Sequence, residues 1–316
     1  MPVLEPCPPS RGIPWTAFAD EVLKLYAPPM RRRGTRDKTR QVLAEFARLC
    51  PRTADLSPAT IADWIGQYPD RAPATVDGLL RHLSAVCTYG ASRAYLVDPF
   101  DFRPVSSWLP ADLLDRSDSD PFPRHRTAAE IGQVLRQADS EALSARWEAL
   151  RLRAVVYTLA FTGAHKTEVL GLRTSDVDLA GGLLSIRSHG RRRLKTRARS
   201  ARLPIAGPLA EVLAGWSPLT GCEWLFPHRY RSGPWLHGSA GRRPIEEVRA
   251  LGDRAGVPGL TLVAFRHSFA TLAESWGIGE LMLQRLLRHA RPRTQDHYRH
   301  ADLEAMRAAA GKVRFG

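Results

Sequence analysis

GGLLSIRSHGRRRLKTRARSARLPI, residues 181–205, is the stretch on which the fold class turns. A glycine pair makes the turn that opens it, LLSIR at 183–187 reads as a strand, and ARLPI at 201–205 reads as a second one. Between them lies a strongly basic hairpin tip. Around this hairpin the pattern is helical, with helices predicted at 128–138, 144–162 and 165–172 before it. Behind it follow 208–216, 244–255, 264–276, 279–289 and 302–310, with Gly277 and Gly279 as stop and restart. Many helices and one small antiparallel sheet make this an α+β fold rather than a doubly wound one.

Upstream, RSDSDPFPRHRT at 116–127 is polar, carries two prolines and has no apolar period, so it reads as a linker. Residues 1–115 before it read as four short helices. Pro14 opens the first, with Phe18, Val22, Leu25 and Tyr26 on one face. Asp37 to Leu49 carries Val42, Leu43, Phe46 and Leu49 at helical spacing. Ser57 with Pro58 caps a third helix carrying Ile61, Trp64 and Ile65. Pro73 opens a fourth with the stripe Val76, Leu79, Leu80, Leu83 and Val86. Arg31, Arg32 and Arg33 begin a run to Arg40 with six basic residues and one acid, which reads either as a solvated face or as a phosphate contact.

The chain has 316 residues, a length suited to two domains, and 44% apolar residues, enough for real cores. Lys plus Arg number 46 against 32 acids, for a net charge of +14. Only Lys24, Lys38, Lys166, Lys195 and Lys312 are lysines; the rest are arginines. Such an excess calls for a polyanionic partner. The most apolar stretch, 154–161 with Thr158 inside it, is too short for a bilayer, and the opening MPVLEPCPPS does not read as a secretory leader. Cys7, Cys50, Cys87 and Cys222 show neither metal spacing nor disulfide density and read as reduced thiols. A cytoplasmic protein without metal or cofactor is expected.

Two segments carry the chemistry. From Arg187 to Arg202 there are eight basic residues and no acid, including Arg191, Arg192, Arg193, Lys195, Arg197 and Arg199. A basic tip with no interleaved aromatics suits a duplex phosphate backbone rather than stacked single-stranded bases. The second segment is AFRHSFATLAESWGIGELMLQRLLRHARPRTQDHYRHAD, 264–302. Phe265, Phe269, Leu272 and Trp276 form a helical stripe that leaves Arg266 on another face. His289 ends a predicted helix, where the dipole favours its charged form, and Tyr298 follows nine residues later. Singly, these read as an exposed arginine, a capping histidine and a half-buried tyrosine.

Taken in order, they resemble the tyrosine recombinases, or phage-type integrases. That family's pattern has an Arg in TGxRxxE, a Lys on a β-hairpin, HxxR, a His or Trp in an LLGH-like segment, and a late Tyr. Here TGAHKTEVLGL (162–172), LKTRARSARLPI (194–205), VAFRHSFATL (263–272), LLRHA (286–290) and DHYRH (296–300) stand at those elements. YLVDPF (95–100) is similar to the segment that closes the family's N-terminal DNA clamp.

The resemblance implies a SAM-like four-helix clamp at 1–115 and a catalytic domain at 128–316. It implies Tyr298 as nucleophile on a backbone phosphorus, Arg266 as a guanidinium fork on the phosphate oxygens, Lys195 as proton donor to the leaving 5′-oxygen, and His289 as a phosphate donor. Double-stranded DNA is the implied partner, with a homo-tetramer on two paired sites and an exchanged C-terminal helix at 302–310. Two positions depart from the pattern: His165 stands at the first Arg, and Val263 at the first histidine of HxxR. His165 can donate, and beside a phosphate its charge should be favoured; Lys166 is its neighbour, roughly 100° round a helix. Val263 can do neither. The competing readings are a relative that has lost cleavage and binds DNA as an accessory, and a helix-turn-helix regulator, which explains the charge but not the ordered set.

Overall fold

A computed structural model describes residues 12–26, 33–68, 71, 73–93, 95–96, 125–188, 200–229, 233–235, 243–288 and 302–315. The chain divides into two compact units, residues 1–121 and 122–316.

In the first unit four α-helices are described: α1 (Trp15–Leu25), α2 (Arg33–Phe46), α3 (Pro58–Gly66) and α4 (Pro73–Ser92). Ser57 caps α3 as expected: its Oγ accepts the Thr60 N–H at 3.2 Å while Thr60 Oγ1 accepts the Ser57 N–H at 2.8 Å. The core is aromatic, with Trp15 against Phe18 at 5.5 Å and Phe46 against Trp64 at 5.2 Å between ring centroids. The second helix starts four residues before Asp37 and ends three before Leu49. The chain leaves the α-helix through a tighter turn, with the Arg48 N–H on Glu45 O and the Leu49 N–H on Phe46 O. Leu25, expected on the buried face of α1, is exposed.

The second unit is built round α6 (Trp147–Thr162), in which every residue from Arg151 to Thr162 except Arg153 is buried. A helix apolar on all sides belongs at the centre of a core. Against it pack α5 (Ala128–Ala142), α8 (Gly207–Trp216), α9 (Pro244–Arg254) and α10 (Ala264–Leu272). The α5 start is a Thr127–Glu130 capping box, and Arg126, inside the expected linker, is buried with its N–H on Ser268 Oγ at 2.7 Å.

The sheet has three antiparallel strands in the order β1 (Val177–Asp178), β2 (Leu183–Ile186), β3 (Ala201–Pro204). Leu184 faces Leu203 and Ile186 faces Ala201, so the expected hairpin forms, with a short third strand that the sequence pattern did not indicate. Its tip, residues 189–199, lies outside the described residues. The helix expected at 165–172 is only one turn, α7 (Lys166–Val169). The helix expected at 264–276 stops at Leu272, because Gly277 turns left-handed at φ +67° and the Ile278 N–H returns to Ala273 O. Then come α11 (Glu280–Leu286) and α12 (Asp302–Ala310), which packs on β3 and α11. Phe315 closes the end by meeting Phe161 and Trp276 edge-on, each at 5.3 Å. Among the described residues no helix is long and apolar enough to cross a membrane.

Candidate active site

Three chain segments meet where α6 ends. The first is the α6–α7 turn. Gly163 caps α6 in the left-handed region at φ +56°, and a Cβ there would sit 2.8 Å from Leu287 Cδ2 and from Phe269 Cγ. Only glycine satisfies both the backbone and the packing. Two residues on, His165 is the N-cap of α7: its Nδ1 lies 3.3 Å from the Thr167 N–H and 2.8 Å from Thr167 Oγ1. Glu168 closes the capping box by accepting the His165 N–H on Oε2 at 2.8 Å.

The second segment is α10, which presents Arg266. Its Nη1 donates to the carbonyl of Gly163 at 2.9 Å and its Nη2 to that of Leu287 at 2.7 Å. The guanidinium is thus held from two sides by backbone oxygens, each fixed by the fold. Val263, at the N-cap of α10, contributes no side-chain cap; Thr261 Oγ1 accepts the Ala264 N–H instead.

The third segment is the end of α11. Arg288 takes φ +56°, in the region L-residues rarely occupy, at a cost of roughly 1–2 kcal/mol. Its side chain turns inward and is 1% exposed. Nη2 donates to Glu168 Oε2 at 2.6 Å and Nη1 to Leu286 O at 2.6 Å. Burial alone would raise the Glu168 pKa, but the Arg288 charge, the His165 N–H and the Arg266 charge together hold it below the usual carboxylate value.

Of the expected site residues, the structure brings together the His165 segment and Arg266. Lys195, His289 and Tyr298 lie outside the described residues, as do Arg31, Arg32, Arg191, Arg192, Arg193, Arg197 and Arg199. Arg33 is described only as the first residue of α2. The hairpin's Arg187 is bound to structure: its Nε donates to the buried Asp176 at 2.6 Å. Sequence reading missed Glu168 and Arg288 as a pair. The available signal was an arginine at 288, where the LLGH-like pattern has glycine.

The profile of the phage integrase family matches residues 127–304. Tyrosine recombinase XerC of Erythrobacter litoralis is 28% identical over 240 residues, covering 74% of this chain and 71% of the relative. Tyrosine recombinase XerD of Brucella suis is 30% identical over 203 residues, 60% of this chain and 63% of the relative. A lambda integrase tetramer bound to a Holliday junction superposes with a TM-score of 0.61 at 19% identity, over 90% of this chain and 80% of that one. That likeness is one of fold.

Proposed function

This chain belongs to the phage integrase family, and from that premise we propose that it is a site-specific DNA recombinase, breaking and rejoining duplex DNA through a 3′-phosphotyrosyl intermediate. The observation that carries the reading is Arg266. Its guanidinium is anchored between the TGAHKTE and LLRH segments, as a phosphate-gripping fork must be if it is to act without reorganising.

In this reading the Tyr298 phenolate oxygen, its proton given up to water, attacks the phosphorus, the P–O5′ bond breaks, and the phosphodiester energy is kept in the new P–O–Tyr bond. Lys195 gives a proton to the departing 5′-oxygen. Arg266 and His289 donate to the non-bridging oxygens as negative charge grows there, and His165 donates from the place of the pattern's first arginine. Each such donor is worth about 10²–10³ in rate. The unit at 1–115 would clamp the duplex with Arg31, Arg32 and Arg33, and the 191–199 arginines would follow the backbone. Assembly on paired sites as a tetramer is proposed by likeness to the lambda integrase tetramer, with cytoplasmic nucleoid DNA as the setting.

The test uses a nicked duplex carrying the sequence that the protein enriches from a random-sequence DNA pool. We expect a covalent adduct whose peptide maps to Tyr298, and its loss in Tyr298→Phe with DNA binding kept. Specific binding with no adduct in the wild type would instead identify a DNA-binding relative without cleavage, the reading favoured by Val263 where the pattern has a histidine.

A further inference from the structure

We infer that Arg288 supplies the charge that position 165 lacks and is a positioning residue for Arg266. The inference rests on the strand-cleavage reading above, and extends it to a residue at which the family pattern has glycine.

Three observations carry it. First, among the described non-glycine residues only Ala145 and Arg288 have positive φ. Arginine holds this strained place in a segment whose pattern offers the one residue that fits without strain. Second, the guanidinium does not turn to solvent. It is buried against Glu168, a carboxylate itself 3% exposed, and a buried carboxylate needs a cation and several donors to remain ionised. His165 gives that carboxylate its backbone N–H and directs Nδ1 to Thr167, so the cation comes from 288.

Third, the ion pair joins the two segments that Arg266 bridges. Arg266 runs from Gly163 O to Leu287 O, while Arg288 runs from Leu286 O to Glu168. Two arginines therefore clip the same turn, 163–168, to the same helix end, 286–288. The inner clip sets the gap that the outer one spans. Arg288 is buried and acts through Arg266, whose guanidinium is the one placed for phosphate.

Four forms of the full chain decide the matter on the nicked duplex defined above: wild type, Arg288→Gly, His165→Arg, and the exchange His165→Arg with Arg288→Gly. Single-turnover adduct formation, duplex affinity and thermal unfolding are measured for each. Glycine relaxes the backbone at 288 but removes the cation hydrogen-bonded to Glu168 and leaves it only the charge of Arg266. Adduct formation should fall about 10²-fold, the loss of one preorganised donor, while affinity is retained. Arginine at 165 returns the cation from the other side of Glu168, so the exchange form should recover most of that loss. His165→Arg alone alters a proposed phosphate donor, so it serves as the reference against which the exchange form is read.

Rescue by relocation is the discriminating result, because an arginine needed only for folding would not be replaced from 165. An Arg288→Gly form as fast as wild type defeats the inference, as does an exchange form that folds and stays slow. If Arg288→Gly is unfolded, the exchange form decides alone: folded and active supports the inference, anything else refutes it. A wild type that binds and forms no adduct removes the cleavage reading itself, and this inference with it. That outcome is told apart because it precedes any difference among variants.

Discussion

Glu168 shows how much one carboxylate can organise. It caps α7, accepts from Arg288 and feels the charge of Arg266, all within one buried place. Its folded pKa lies below the unfolded value, so its stabilisation is complete above the ordinary 4.5 and is lost as pH falls through the folded value. Glu168→Gln leaves Arg288 buried without its counter-charge and should cost about 3–5 kcal/mol at pH 7 in urea unfolding. The gap to wild type should narrow below pH 4.5, and a gap constant with pH would deny the carboxylate this role. His165 is read differently once folded. The sequence makes its charge the useful property, which predicts cleavage declining between about pH 7 and 8 from an ordinary value near 6.5. With Nδ1 accepting from Thr167, the neutral ring carries its proton on Nε2 and remains a donor. We therefore expect a single-turnover rate flat from pH 6 to 8; a fall across that window would restore the charge-based role.

Among the elements of the site, the α6–α7 turn has little room for change. Gly163→Ala must place a Cβ against Leu287 and Phe269 and hold φ +56°. It should destabilise by more than the roughly 1–2 kcal/mol of backbone strain alone. It also moves the carbonyl that anchors Arg266, so adduct formation should fall even at a temperature where the variant is fully folded. A variant with lower stability and an unchanged rate would separate the turn from the site. The helices themselves were legible: 128–138, 144–162 and 302–310 were expected where α5, α6 and α12 lie, and Ser57 marked the start of α3. Ends were less so: α7 makes a single turn, and α10 stops at Leu272 ahead of the left-handed Gly277.

At the scale of the whole molecule, the +14 charge is the feature most directly tied to the proposed partner. Not all of it faces outward. Arg126, Arg151 and Arg288 are buried, and Arg187, Arg254 and Arg71 are paired with carboxylates. On the proposed function, the hairpin tip and the Arg31–Arg33 run are among the cations that would meet phosphate. Replacing Arg191, Arg192 and Arg193 with Ala should weaken binding to every duplex alike. It should also flatten the plot of log K against log salt by about 0.9 for each phosphate no longer neutralised. An equal slope in the triple variant would remove the tip from the interface. The C-terminal helix α12 buries Met306 and Ala309 in its own unit's core, so exchange between subunits would have to preserve this packing in trans.

Sequence alone determined the α+β class, the hairpin pairing and the helical front unit. These rest on local signals: a period of 3.6 or 2, a cap three residues from its partner, a motif read in one direction. Tertiary structure alone decided which charges meet. Glu168 and Arg288 are 120 residues apart, and Arg266 is 103 from the carbonyl of Gly163. No local pattern distinguishes an arginine destined for a buried carboxylate from one destined for DNA. That distinction is made by burial, because only a cation removed from water must find its partner within the fold.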